Sequence, residues 1–238
     1  MTEALFQTDS YLQEFEATVT QVDADAGTLL LDRTAFFPGG GGQPHDLGDL
    51  RCVDQELKVV RVQRKPDGIW HWTSGSLPAV GERVQGRIDW DRRYALMRTH
   101  TALHILCGVI WRDYGAQVTG GNMEPLRGHL DFEFETLRQE LVSEIEERIN
   151  REVEAAREVH VRILPREEAF GIPDLIRTKV NLLPAGLQEI RTVEIVGLDL
   201  QADGGTQVAN TRGVGPIRVA GYKSKGRLNK RIQIELAS

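Results

Sequence analysis

From Phe15 to about Asp89 the chain alternates apolar and polar residues in short runs: ATVTQV at 17–22, TLLLD at 28–32, LKVVRVQ at 57–63, GIWHW at 68–72 and RVQGRI at 83–88. A period of two sends successive side chains to opposite faces of a strand, and the Gly, Asp and Pro clusters between the runs supply turns. Strands at this spacing predict a small antiparallel barrel-like β domain over residues 1–89. At Asp89 the period lengthens. Asp91 is placed to cap a helix reaching about Asp113, with Leu96, Leu103, Leu106 and Ile110 as its apolar stripe and Gly115 at its end. Thr136 and Gln139 have the form of a capping box ahead of Leu137, Leu141, Ile145, Ile149 and Val153, which predicts a second helix running to about Glu158.

Strand-like runs surround these helices: GHLDFEF at 128–134, VHVRIL at 159–164, EIRTVEIV at 189–196, PIRVAGYKS at 216–224 and KRIQIEL at 230–236. Residues 90–238 therefore read as an α+β domain, with helices packed on a mainly antiparallel sheet. Prolines at 165, 173 and 184 make the stretch between the second and third of these runs loop and short helix. Periodicity leaves open whether the helix from Thr136 packs within the chain or against a partner, so oligomeric state is not specified.

Composition narrows the class. The 238 residues, 40% hydrophobic and 27% charged, are ample for buried cores without disulfides. No apolar run reaches the roughly 18–20 residues of a membrane span, and the N-terminus carries acids where a signal peptide needs bases, so a cytoplasmic location is expected. Cys52 and Cys107 fit no ligand or redox spacing and are expected as reduced, buried thiols. The net charge of −6 argues against non-specific nucleic-acid binding by the whole surface. Locally the balance reverses, because Gly204 to Ile234 holds seven bases (Arg212, Arg218, Lys223, Lys225, Arg227, Lys230, Arg231) and no acid. An anionic partner is expected there.

Three strings can carry chemistry. His100 and His104, one helical turn apart, are spaced so that both imidazoles can reach one metal ion, although a packed histidine beside a capping one fits the same spacing. Asp203-Gly204-Gly205-Thr206-Gln207 offers a carboxylate and two glycines able to take positive φ, or else a plain turn between strands. Thr34-Ala-Phe-Phe-Pro38-Gly39-Gly40-Gly41-Gly42-Gln43-Pro44 cannot be a strand interior, and its flanking aromatics and Gln-Pro favour a backbone surface that approaches a ligand over a flexible linker.

In order and spacing these strings resemble the AlaX family, free-standing relatives of the editing domain of alanyl-tRNA synthetase, in its medium-length class. The family's Thr-x-Phe-Tyr/Phe-Pro-x-Gly-Gly-Gly-Gln-Pro motif is similar to residues 34–44. Its His-x-x-x-His helix resembles His100 and His104, its Cys-Gly-Gly-Thr-His loop resembles residues 203–207, and its basic C-terminal segment resembles Lys223 to Arg231. The resemblance implies an ATP-independent hydrolase that cleaves the ester joining a wrong amino acid, typically serine and in some members glycine, to tRNA(Ala). It implies one zinc ion per chain at the histidines and the 203–207 loop, substrate contacts from Thr34, Gly40, Gly41, Gly42 and Gln43, and tRNA contacts from the seven bases.

The ligand loop departs from the family, because Asp203 and Gln207 stand where Cys and His are common. Asp keeps an anionic donor but exchanges sulfur for hard oxygen, and a neutral amide is a weak zinc ligand. Either His100, His104 and Asp203 hold the ion with water completing the shell, as in hydrolytic zinc sites, or the site holds no metal. The competing readings are a degenerate aminoacyl-tRNA-binding module without turnover and a metal-dependent hydrolase of another ester.

Overall fold

A computed structural model describes residues 2–53, 55–179, 183 and 186–237. The chain divides into two compact units, Met1–Tyr94 and Ala95–Ser238.

In the first unit a short strand β1 (Glu3–Ala4) pairs in parallel with β4 (Arg33–Thr34). The remaining strands are β2 (Glu14–Asp23), β3 (Thr28–Leu31), β5 (Gly48–Arg51), β6 (Glu56–Lys65), β7 (Gly68–Ser74) and β8 (Arg83–Ile88). They close into an antiparallel barrel in the order β2-β3-β7-β6-β5-β8, which leaves no free sheet edge. The alternation legible in the sequence supplies its core: Phe15, Ala17 and Val19 of β2 pack with Leu57, Val59 and Val62 of β6, Ile69 of β7 and Val84 and Ile88 of β8. Phe36, at the head of the glycine string, is fully buried in the same cluster and meets Phe15 edge to face at 5.7 Å.

Helix α1 (Trp90–Tyr114) begins in the first unit and continues into the second. Its capping residue is Asp89 and not Asp91, since the Asp89 carboxylate accepts the Arg92 N–H at 3.2 Å. Leu96, Leu103, Leu106 and Ile110 are buried as expected, but so are Met97, Ala102, Ile105, Cys107 and Val109. The helix is a core element with no wet face over two turns. Both cysteines are free and buried.

Around it the second unit carries two antiparallel sheets where one was expected. The larger is ordered β14 (Ile217–Ser224), β15 (Asn229–Leu236), β10 (Arg127–Glu133), β9 (Val118–Glu124), and the smaller β11 (Val159–Pro165), β12 (Glu189–Ile195), β13 (Asp199–Ala202). Helix α2 (Gln139–Glu154) starts three residues after Thr136, with Arg138 at its N-cap and no side-chain cap, so the capping box is not used. It stops at Glu154 because Ala156 turns to positive φ. Val142, Ile145, Ile149 and Val153 form its buried stripe, and α3 (Arg166–Phe170) is the short helix of the proline-rich stretch.

Asp131 of β10 is buried under Arg231 and Lys225, which bond to it at 2.7–3.0 Å. The Arg231 bonds outweigh burial, and with Lys225 they lower the Asp131 carboxyl from 3.8 to about 2. A carboxylate whose folded pKa is depressed stabilises the fold above its unfolded pKa, and that contribution is lost as the pH falls from about 4 to about 2. The shift is worth about 2 kcal/mol, reduced toward about 1 because the Lys225 end is open to solvent. Asp131→Asn is expected to lower the urea midpoint at pH 7 and to flatten its fall between pH 4 and pH 2. Identical midpoints across that range would remove the ion pair from the stability of the sheet.

Candidate metal centre

His100 and His104 sit in the fully buried stretch of α1, their ring centroids 5.1 Å apart. A carboxylate comes to them from the loop after β13. The Nε2 atom of His100 lies 3.5 Å from Oδ1 of Asp203, and Nε2 of His104 lies 4.0 Å from its Oδ2. One donor atom from each of the three residues lies within 4.8 Å of the other two. Two donors each about 2.1 Å from a tetrahedral zinc stand about 3.4 Å apart, so the trio needs only a small contraction. These three residues can hold a metal ion.

Local structure explains why Asp203 points inward. Its backbone is tied to β12, where Arg191 accepts its N–H at 3.1 Å and donates a guanidinium N–H to its carbonyl at 2.9 Å. Its Oδ2 accepts the Gly205 N–H at 3.1 Å, which closes the turn through a side chain, and neither Gly204 nor Gly205 adopts the positive φ anticipated for them. Thr101, between the two histidines, donates its hydroxyl to Oε1 of Gln207 at 2.8 Å and accepts the Val208 N–H at 3.1 Å, lashing the loop to the helix. The Gln207 amide then donates to Asp203 Oδ2 at 3.0 Å. Gln207 therefore faces the carboxylate as a donor, with its oxygen engaged by Thr101.

Electrostatics set two of the three donors, His100 and Asp203, in the protonation states a metal requires, while His104 is biased toward the proton that an ion would displace. Burial drives the His100 pKa down to about 4 against the pull of Asp203, so its ring is neutral at pH 7. Burial also opposes the charged form of His104, yet its bond to Asp199 and the charge of Asp203 outweigh it, and the net direction is upward. Asp203 goes down to about 2, because the two histidines, Arg191 and the Gln207 amide overcome the burial that would raise it.

Asp199 gave no signal in the sequence. Fully buried at the start of β13, it accepts the Nδ1 proton of His104 at 3.0 Å and the Gln201 amide at 2.6 Å, with Arg177 at 3.6 Å. A carboxylate on the far nitrogen of a ligating histidine fixes the tautomer, aims Nε2 at the ion and makes it a better donor. The contact depends on Gly108, one turn beyond His104, where a Cβ atom would lie 2.9 Å from Leu198 and 3.0 Å from Cβ of Asp199. Only a glycine lets the helix approach that closely.

The glycine string of the first unit forms a built loop. Gly39 through Gly42 all have positive φ, and the Gly40 and Gln43 backbones exchange two hydrogen bonds at 3.0 Å, closing a two-residue turn at Gly41-Gly42. Gln43 is buried. The base of the loop is closed by Asp46, which accepts the Phe37 N–H at 2.6 Å and returns its own N–H to the Phe37 carbonyl at 3.0 Å. Thr34 is fully buried, accepting the Phe36 N–H at 3.1 Å and sharing a hydrogen bond with Nε2 of His71 at 2.9 Å.

The seven bases do not form one uniform patch. Arg212, Lys223 and Arg227 are exposed, and among the described residues none of them makes an ion pair. Arg218 is paired with Glu235, and Lys225 and Arg231 hold Asp131. Lys230 is buried, its ammonium bonded to the carbonyls of Gly226 and Arg227, so it braces the hairpin between β14 and β15. Among the described residues no helix is long and apolar enough to cross a membrane.

Comparison with known proteins is consistent with this geometry. The family model for class II (A) tRNA synthetases matches residues 3–92. The alanyl-tRNA editing protein AlaX-M of Saccharolobus solfataricus is 40% identical over 238 residues, covering 98% of both chains. Its namesake in Methanosarcina mazei is 38% identical, over 99% of this chain and 97% of that one. The alanine–tRNA ligase of Pyrobaculum aerophilum is 40% identical over 225 residues, which span 92% of this chain and 25% of the ligase. With full-length identity at this level, the chain belongs to the AlaX-M family of alanyl-tRNA editing proteins.

Proposed function

We propose that this protein is a trans-editing deacylase that hydrolyses the ester linking a wrongly attached amino acid to tRNA(Ala), with serine as the principal substrate and glycine as a second. The observation that carries the reading is the convergence of His100, His104 and Asp203, with Asp199 behind His104, in a chain whose full-length relatives are named alanyl-tRNA editing proteins. Zinc fits this donor set of two imidazoles and one carboxylate, and bound by His100, His104 and Asp203 it would supply a Lewis acid for ester hydrolysis.

The chain's own residues do the rest. Asp199 holds the proton on His104 Nδ1, so Nε2 is the nitrogen turned to face an ion. Gln207 and Gly205 anchor one carboxylate oxygen of Asp203 and leave Oδ1 turned toward His100. Thr34 and Gln43 are assigned to the serine hydroxyl on the strength of the family motif, with Gly41 and Gly42 at the tip of the turn offering backbone N–H groups, that of Gly40 being bonded to the Gln43 carbonyl. A site that hydrogen-bonds a hydroxyl rejects alanine, because its polar groups are then left unpaired. Lys223, Arg227 and Arg212, exposed and without an ion pair among the described residues, are the bases left to meet tRNA phosphates, which add affinity without reading sequence.

The test is deacylation of Ser-, Gly- and Ala-tRNA(Ala) with and without a chelator, beside metal analysis of the purified protein. The expected result is one zinc per chain, hydrolysis of the serine ester with the alanine ester spared, loss of turnover on chelation and its return with zinc. RNA binding without turnover would make the protein a non-catalytic module, and turnover indifferent to the tRNA would make it a different ester hydrolase. Thr34→Val is expected to lower cleavage of Ser-tRNA relative to Ala-tRNA. It also strips His71 Nε2 of its partner, at a cost of about 1–3 kcal/mol, so discrimination is compared well below the melting temperature of the variant. Unaltered discrimination in the folded variant would take Thr34 out of substrate recognition.

A further inference from the structure

The outer face of the barrel carries a cluster that the proposed chemistry does not use. In the β6–β7 ribbon Arg61 is opposite Trp72 and Gln63 opposite Trp70, while Ile69 and His71, on the alternate positions of β7, are wholly buried. The guanidinium of Arg61 lies 4.8 Å from the Trp72 ring, and the ammonium of Lys65 lies 4.8 Å from Trp70 and 5.0 Å from Trp72. Well-placed contacts of this kind occur about once per 70–80 residues, so three on one ribbon mark a concentration. Among the described residues neither Arg61 nor Lys65 makes an ion pair, so their charge is held by aromatic faces and stays available to an incoming anion. Asp67, the acid of the connecting turn, is turned to the Trp70 indole N–H at 3.0 Å and fixes that ring. Trp70 is itself buried and backs the cluster, and Trp72, half-buried, is the ring within reach of a ligand.

Aromatic rings interleaved with unpaired cations on a barrel surface match the chemistry of an unpaired nucleic-acid strand: bases stack on the rings and phosphates meet the cations. An acidic peptide would use the charges but gains little from two tryptophans. The protein carries a net charge of −6, so an RNA partner must be met at local positive patches such as this one. We propose that the outer face of the β6–β7 ribbon binds a single-stranded stretch of RNA, with a base stacked on Trp72 and flanking phosphates on Arg61 and Lys65. The proposal rests on the reading that the substrate is a tRNA, and gives that RNA a second point of attachment.

The test titrates the full chain with unacylated tRNA(Ala) transcript and with a short unstructured oligoribonucleotide, over a range of salt. Trp72→Leu is expected to weaken binding of both by about tenfold, with the salt dependence unchanged. Arg61→Gln with Lys65→Gln is expected to flatten the log–log salt slope by about two. In deacylation both variants raise KM and keep kcat, which a merely structural defect would not do. Trp72→Phe, which retains a smaller ring, should recover part of the affinity and guards against misfolding of the leucine variant. Wild-type affinity and salt slope in both variants overturn the proposal, as does equally tight, Trp72-dependent binding of poly-glutamate, which would assign the face to an acidic protein partner. Absence of deacylation by the wild-type chain would overturn the enzymatic reading and leave these binding results to stand by themselves.

Discussion

Asp203→Ala is expected to lose the bound metal and at least about a hundredfold in deacylation rate, since changes one layer further out in a metal site already cost about 10–100-fold. The alanine removes the anionic donor and leaves two buried imidazoles and the Arg191 guanidinium, with Asp199 on the far side of His104 as the carboxylate that remains. A dication brought to that site meets a fixed positive charge and has no anionic ligand of its own. Asp203→Cys is the informative companion. It restores an anionic donor of the type common in the family, and it should recover zinc at near one per chain together with most of the rate. Asp199→Asn probes the layer behind: the amide still occupies the space beside His104 Nδ1 but supplies no charge, so weaker metal retention under chelator competition is expected with the fold intact. If Asp203→Ala keeps both metal and turnover, the ion, where present, is held elsewhere and the proposed centre is wrong.

The elements most legible from the sequence are those in which one physical signal dominates. Strands β2, β6 and β8 alternate because one face is core and the other solvent, whereas β7 is buried on both faces from Gly68 to His71. Strand β9, VTGGNME, is hidden in the sequence because two glycines break its pattern, and β13, DLQA, is four residues with little to distinguish it from a turn. Helix α1 is legible, but its buried surface is wider than the stripe its periodicity predicts, because a helix surrounded by protein keeps few polar positions to mark a wet face. Its cap was misplaced by two residues because Asp89 and Asp91 are chemically equivalent, and only the fold decides which carboxylate reaches a free N–H.

The candidate centre was legible to the extent that it is local. His100 and His104 announce themselves by spacing, whereas the Asp203-Gly204-Gly205 string offers a carboxylate that reads equally as a plain turn until the resemblance of its loop to a family motif is added. Asp199 lies 95 residues from the histidine it holds, and the contact is created by the close approach at Gly108, a residue with no distinguishing sequence context. The buried Arg191 was equally hidden, since an arginine in a strand reads as an exposed position until its neighbours are known.

Arg93 shows the same blindness on the other side of the chain's chemistry, and it carries the second large effect. It is wholly buried, and so is its partner Asp46. Its Nε donates to both carboxylate oxygens of Asp46 at 3.0 Å, and its terminal nitrogens donate to the Ser10 carbonyl at 3.0 Å, the Ala35 carbonyl at 2.6 Å and again to Asp46. One side chain thus satisfies acceptors from the N-terminal segment, the start of the glycine string and its end. Removing either partner leaves a charge uncompensated in the interior, and Asp46→Asn or Arg93→Met is expected to cost about 3–5 kcal/mol, lowering the melting temperature by about 10 °C or more. The double variant Arg93→Met with Asp46→Asn should be less destabilised than the two costs added, because the second change no longer strands a charge. It should still fall short of the wild type, since the Arg93 hydrogen bonds to the Ser10 and Ala35 carbonyls are lost. The glycine turn hangs from this clamp through Phe37 and Asp46, so the surviving folded fraction of either single variant is expected to show faster amide exchange across residues 37–46 than elsewhere in the barrel. Additive costs in the cycle, or exchange rates unchanged in that loop, would mean the pair is a local surface-like contact with no hold on the turn.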